Sequence, residues 1–514
     1  MKVIEELEDS IIKDMSRRIV KMGNVSDTTA WQAEVLQQSG MLYDDIVKRV
    51  SETTELLEEE IRGFYDDAET EVFNYDTVVL KDAGIDSEEF RRFSPDMTLI
   101  WKAALAKTCT DAINLTKTTA LASQASFISA CDLAMMQVSS GAFSYDQAIA
   151  NAIKKVANTG GRVSYPSGKS DRIDVAVRRA VLTGVNQTSG QVMKMQAERL
   201  GYDLMEISAH TGARPEHSTW QGRIVSLSGN THGGKYLTLD DIGYGTVTGF
   251  QGVNCRHTWW IFFEGVSKPL YTKDGLDAMA QSVVPYDGNL YYTYEARDMQ
   301  RAMERKIRSS KRTLVALDEG LKAADNEELR QCLKTDFAAE SVKLKQREAM
   351  LRDFCDQTGL RLDNSRTQVY NVFDDNGSVI GGFGKSVGQK AVATNKKEAE
   401  KYTKRLYNSD GTLYVTDNWI KRKHPTIPRE YKPYAVIETK EVKGPHIQYN
   451  RTLYDDAGVM SVQIHSSHHN SQKDHPFGEN GEHKHIYTYE GDTRKNRTDD
   501  ELDEQDRKEN ADIL

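Results

Sequence analysis

The sequence predicts a multidomain α+β protein: a mainly α-helical N-terminal half, a small α+β core, a helical spacer and a small C-terminal α/β module. Three observations carry that reading. Apolar residues recur every three or four positions through the first 158 residues, the spacing of one helix face. Between Gly184 and Phe263, helix and strand signals alternate around a loop dense in histidine, arginine and tryptophan. Beyond Leu360, short β-branched and aromatic runs separated by turn residues replace the helical period. The expected divisions are a helical N-terminal domain at 1–158, an α+β core at 159–290, a helical hairpin or coiled-coil spacer at 291–358, and a basic module with a His-rich segment and an acidic tail at 359–514.

In the first division Ile4, Leu7, Ile11, Met15 and Ile19 form an amphipathic stripe, interrupted at 23–26, where Ser26 is placed to cap the next helix. A long acidic helix follows over 43–73. Ser94-Pro95-Asp96 reads as a helix start with proline at the first position. The Ala-, Thr- and Ser-rich stretch 98–136 predicts a closely packed helix pair, and Ser144 caps a helix over 145–156. The glycine-rich stretch at 160–168 lacks the order of a phosphate-binding loop. Ser170-Asp171 then caps a helix over 173–182 that carries Arg178 and Arg179.

Residues 298–358 read as a helical hairpin broken near Ala324-Asp325-Asn326. The last division combines two strands around a turn at 374–377, a basic helix at 396–406 and further strands at 413–416 and 434–438. Its acidic end, from Glu490, reads as a solvated helix or a disordered tail.

Composition excludes several function classes. The five cysteines are scattered, so no disulfide framework is expected and a reducing compartment fits. No apolar run is long enough to span a bilayer, and the acidic, amphipathic N-terminus lacks the pattern of a signal peptide. A net charge of −10 argues against a surface that wraps nucleic acid throughout, but leaves room for a local basic face.

The stretch AHTGARPEHSTWQG at 209–222, the SLSG after it, and GYG…GFQGVNCRH over 243–257 resemble the phage minor capsid protein 2 family, within the wider group of Mu F-like head morphogenesis proteins. The resemblance implies a non-enzymatic structural protein of a tailed-phage head, near the portal, acting in head assembly and in DNA packaging or ejection. Its implied partners are the portal and other capsid proteins, with phage DNA as a further partner and no membrane. Its implied location is the virion, with the host cytoplasm during assembly. The motif residues are His210, Arg214, His217, Trp220, Gln221, Gly222, Asn254, Cys255, Arg256 and His257. The resemblance leads to the expectation of a second cysteine four residues before Cys255, where this chain has Gln251.

His210, His217, Cys255 and His257 suffice chemically for a zinc site. The plainer reading has Arg214, His217 and His257 holding the loop through hydrogen bonds, so no cofactor is expected and zinc is the alternative. A second metal candidate is the group His465, His468, His469, His483 and His485. Arg172, Arg178 and Arg179, together with Lys421, Arg422 and Lys423, are nucleic-acid candidates, weighed against internal salt bridges for the arginines. The alternative function is a minor capsid protein carrying a C-terminal effector, an RNase-like or metal-dependent toxin, although no nucleophile motif or placed carboxylate pair supports it.

Overall fold

Helix Lys2–Lys21 turns Ile4, Leu7, Ile11, Met15 and Ile19 inward, as their spacing predicts. The structure, a computed structural model, describes residues 2–22, 28–165, 167–374, 376–420, 426–443, 446–468, 473, 476–490 and 493–514. Ser26 therefore lies outside the described residues. Thr28–Val72 is one continuous helix of 45 residues. Gly40 does not end it, because Trp31, Val35, Leu42 and Ile46 continue one buried face across that position.

A second helix of the same length, Pro95–Ser139, starts where Ser94 accepts a hydrogen bond from the Met97 N–H. The expected pair within 98–136 is thus a single helix. Its buried small residues, among them Ala112, Thr116, Ala120 and Ser123, bring it close to helices Thr28–Val72, Tyr145–Thr159 and Ile173–Arg199. Tyr65 Oη lies 2.8 Å from Thr108 Oγ1, tying two of these helices. Ser170–Arg172 is a short strand paired with Arg162–Ser164, and the helix after it runs unbroken to Arg199.

The predicted hairpin is present as helices Thr293–Ala323 and Glu327–Thr358, the second capped by Asn326 and closed by Gly359 in the left-handed region. It is no spacer. Leu314, Leu317, Leu333 and Phe337 belong to the same core as the first helices. A buried ionic knot fastens it there. Arg312 pairs with Glu8 at 2.7 Å, Arg172 with Glu8 at 3.2 Å, and Arg308 with Asp174 at 2.8 Å. Glu8 and Arg312 are 4% and 6% exposed, so neither charge is stable without the other.

These contacts explain why the chain separates elsewhere than at the expected divisions. It forms two compact units, Met1–Ala391 and Val392–Leu514, and positions 158, 290 and 358 all fall inside the first. Within that unit a four-stranded sheet has the order Leu237–Thr238, Ile224–Ser226, Leu204–Ile207, Trp259–Ile261. The last two pair antiparallel, Met205 opposite Ile261 and Ile207 opposite Trp259. Trp259 is 1% exposed and donates its indole N–H to the Gly190 carbonyl at 2.9 Å, fixing the sheet to helix Ile173–Arg199.

The second unit is a six-stranded sheet rather than an α/β layer. Strands Val436–Lys443, His446–Tyr454, Met460–His465, His483–Glu490 and Thr493–Glu501 follow one another antiparallel, and Asp417–Asn418 adds a parallel edge. Trp419, Ala435, Ile437, Tyr454 and Met460 form its core. The basic helix expected at 396–406 is Val387–Glu400. The acidic tail is the expected solvated helix only in part: over its described residues it supplies the edge strand Thr493–Glu501 and then the short helix Glu504–Glu509, which buries no side chain. Asp512 then pairs with Arg451, which is 1% exposed and also binds Glu438.

Candidate functional site

Two loops carry the motif. The first leaves strand Leu204–Ile207, makes the short helix Pro215–Ser218 and returns as strand Ile224–Ser226. The second runs from residue 239 to strand Trp259–Ile261 and folds tightly on itself. A Cβ on Gly249 would sit 2.1 Å from the Gly243 carbonyl oxygen, and one on Gly252 would sit 2.4 Å from that of Val247. Gln251 and Asn254 both adopt positive φ, 58° and 60°, a rare conformation for glutamine that the packed loop enforces. Helix Ile173–Arg199 supports the second loop: Asn186 donates to the carbonyls of Cys255 and His257, and Gln187 to that of Gln251.

The two loops bring His217, Cys255 and His257 together in a buried cluster. His217 Nδ1 lies 3.3 Å from His257 Nδ1, and Cys255 Sγ lies 3.6 Å from the same His257 atom. The other ring nitrogens identify the protons. His217 Nε2 faces the Thr248 carbonyl at 2.9 Å and must donate to it. Gln221 Oε1 accepts from the His210 backbone N–H at 3.1 Å, so the atom facing His257 Nε2 at 3.2 Å is an oxygen, and that nitrogen also donates. Each neutral ring therefore turns a lone pair toward the other.

Burial, then the neighbouring His210, His217 and Arg214, depress the His257 pKa to about 3. Burial likewise lowers His217 and His210. Burial raises the Cys255 thiol, against which the backbone N–H groups of His257 and Gln251 act by hydrogen bonding to the sulfur. The His210 ring stacks on His257 with centroids 4.5 Å apart. Trp220, 4% exposed, meets His257 edge-on at 4.9 Å and His217 at 4.5 Å, forming a wall of the cluster. Arg214 donates to the Val253 carbonyl across the two loops. Gly222, at φ 67°, packs beside Tyr271 and Leu276.

Arg172 and Arg179 are not available to phosphates. Arg172 is spent on Glu8 and on the carbonyls of Ala157, Asn158 and Gly160, and Arg179 on Asp171 and Tyr165. Arg178 differs. With Arg256, Arg297, Arg301 and Arg366 it forms a cationic cluster close enough that, after burial, these neighbours lower the Arg256 pKa. Among the described residues no carboxylate lies within ion-pairing distance of Arg178, Arg256 or Arg297. Only the i, i+4 spacing of Arg297 and Arg301 could have hinted at this in the sequence. Lys421, Arg422 and Lys423 lie outside the described residues.

In the second unit, His465 and His483 sit opposite each other on adjacent strands, their rings stacked at 5.1 Å, and His485 lies edge-on to both. His485 Nδ1 meets Asp499 at 2.5 Å, while His483 Nδ1 meets the Gly481 carbonyl at 2.8 Å. His468 lies beside Gly481, and His469 lies outside the described residues. Among the described residues, the group whose ligand atoms all converge within 4.8 Å is His217, Cys255 and His257, not this one.

A family model described as "Phage minor capsid protein 2" matches residues 1–356. A "Structural protein" of Lactococcus phage LL-H is 30% identical over 95 residues, which cover 18% of this chain and only 25% of that protein's length. No solved structure matches the chain.

Proposed function

The chain belongs to the phage minor capsid protein 2 family and has a phage structural role; from that premise we propose that it is built into the phage head near the portal, where it acts in head assembly and DNA passage. The observation that carries this reading is the extent of the match. Residues 1–356 include the long helices, the sheet, the two motif loops and the hairpin, all of which share one hydrophobic core. A protein so constructed offers long helical faces to neighbouring head proteins. Arg178, Arg256 and Arg297, which have no carboxylate within ion-pairing distance among the described residues, favour contact with DNA phosphates despite the net charge of −10.

No helix among the described residues is long and apolar enough to cross a membrane. Mass spectrometry of purified virions, with copy number per head, tests the proposal: a few copies per mature particle are expected, and absence from particles overturns it. The effector reading of the C-terminal unit has less support. Its histidine cluster is closed to solvent, with His465, His483 and His485 at 7%, 0% and 4% exposure, which suits a structural core better than a substrate site.

A further inference from the structure

We propose that His217 Nδ1, His257 Nδ1 and Cys255 Sγ are three protein ligands of a zinc-class divalent cation that joins the two motif loops. Zinc binds histidine nitrogen at about 2.0–2.1 Å and cysteine sulfur at about 2.3 Å, in tetrahedral geometry. Tetrahedral angles at those lengths separate two nitrogens by about 3.3 Å, and nitrogen from sulfur by about 3.6 Å. The observed separations are 3.3 Å and 3.6 Å.

The surroundings have the same logic. A histidine that ligates a metal through one nitrogen donates the proton on the other to a carbonyl or carboxylate, which fixes the tautomer and aims the ring. His217 does so to the Thr248 carbonyl and His257 to Gln221 Oε1, and Gln221 is itself held by the His210 backbone N–H. Without a cation between them, the two inward nitrogens set lone pair against lone pair, and the single thiol hydrogen of Cys255 can satisfy only one. The donor set of two imidazoles and a sulfur selects zinc or a similar borderline metal over calcium and magnesium, which take oxygen ligands. His210 is not a ligand: stacked 18° from parallel on the His257 ring, it walls the site instead of facing its edge. The fourth position is left to water or another small donor.

The test uses the full-length chain, purified without chelator and analysed for metal, then stripped and titrated with cobalt(II). The expected result is one equivalent of metal per chain, with the visible bands of tetrahedral cobalt(II) and a thiolate-to-cobalt charge-transfer band. Cys255→Ser should abolish the charge-transfer band. Gln221→Leu should weaken binding about 10–100-fold through loss of the outer hydrogen bond. His210→Ala and His483→Ala should keep the equivalent. No bound equivalent, a charge-transfer band that survives Cys255→Ser, or an equivalent lost only in His483→Ala overturns the proposal. If Cys255→Ser does not fold, X-ray absorption at the zinc edge of the parent protein decides: one sulfur with nitrogen neighbours is expected, and a shell without sulfur overturns it.

Discussion

Trp220 and Cys255 touch the same pair of histidines but contribute in different ways. Trp220 buries a large ring against Phe250, His217 and His257, so Trp220→Ala should cost about 3–5 kcal/mol. With chelator present, Cys255 is a small buried side chain, and Cys255→Ser should cost only about 1–2 kcal/mol for a poorly accommodated hydroxyl. Urea denaturation of both variants in chelator checks this order. A second residue-scale case is Asp318, 3% exposed and paired with Lys390 at 2.6 Å and Lys322 at 2.8 Å. Burial pushes its carboxyl pKa up, but the two lysine hydrogen bonds outweigh burial and hold it below the usual range. A pKa lowered on folding contributes stability above the unfolded value, near pH 4, that disappears as pH falls through the folded value. Asp318→Asn should therefore destabilise by about 1–3 kcal/mol at neutral pH, with the difference from the parent shrinking in acid. Denaturation midpoints measured from pH 7 to pH 3 test the sign.

At the scale of elements, Gly190 shows how a helix and a loop constrain each other. Glycine inside a helix normally costs about 0.5–1 kcal/mol relative to alanine. Here a Cβ at 190 would lie 1.5 Å from Gln251 Nε2, so Gly190→Ala should destabilise instead. Because the obstacle is a side chain, Gln251→Ala in the same molecule should recover most of the loss, a coupling that a double-mutant cycle would measure. That contact also shows where sequence reading stops. Ile4, Leu7, Ile11 and Met15 announced their helix because a helical face is written at local spacing, and the break at 324–326 announced the hairpin for the same reason. The motif residues could be grouped by resemblance, but the facing nitrogens of His217 and His257, forty positions apart, depend on backbone turns at Gln251 and Asn254 that composition does not specify. Strand Thr493–Glu501 was hidden for another reason. It is an edge strand made of charged and polar residues, which protect an exposed edge and erase the apolar alternation that marks a strand.

For the whole molecule, the boundary between units replaces the expected one near residue 359. Residues 314–365, which straddle that expected boundary, include Leu314, Leu333, Leu351 and Phe354, all buried in the main core. Proteolysis should spare them. Trypsin should cut first at Lys396 or Lys397, exposed in the half of helix Val387–Glu400 beyond Ala391 that buries no side chain. The measurement is the mass of the first fragments, and an early cut within 314–365 would restore the earlier boundary.

The ionic knot also sets an order on biosynthesis. Glu8 is made 304 positions before its partner Arg312. Arg172 can reach Glu8 earlier, but the knot as a whole cannot close until helix Thr293–Ala323 has been translated. Completion of this core therefore waits for the hairpin. Ribosome-bound chains arrested before residue 312 should remain open to protease along the first helix, and chains arrested well past residue 358 should become resistant there.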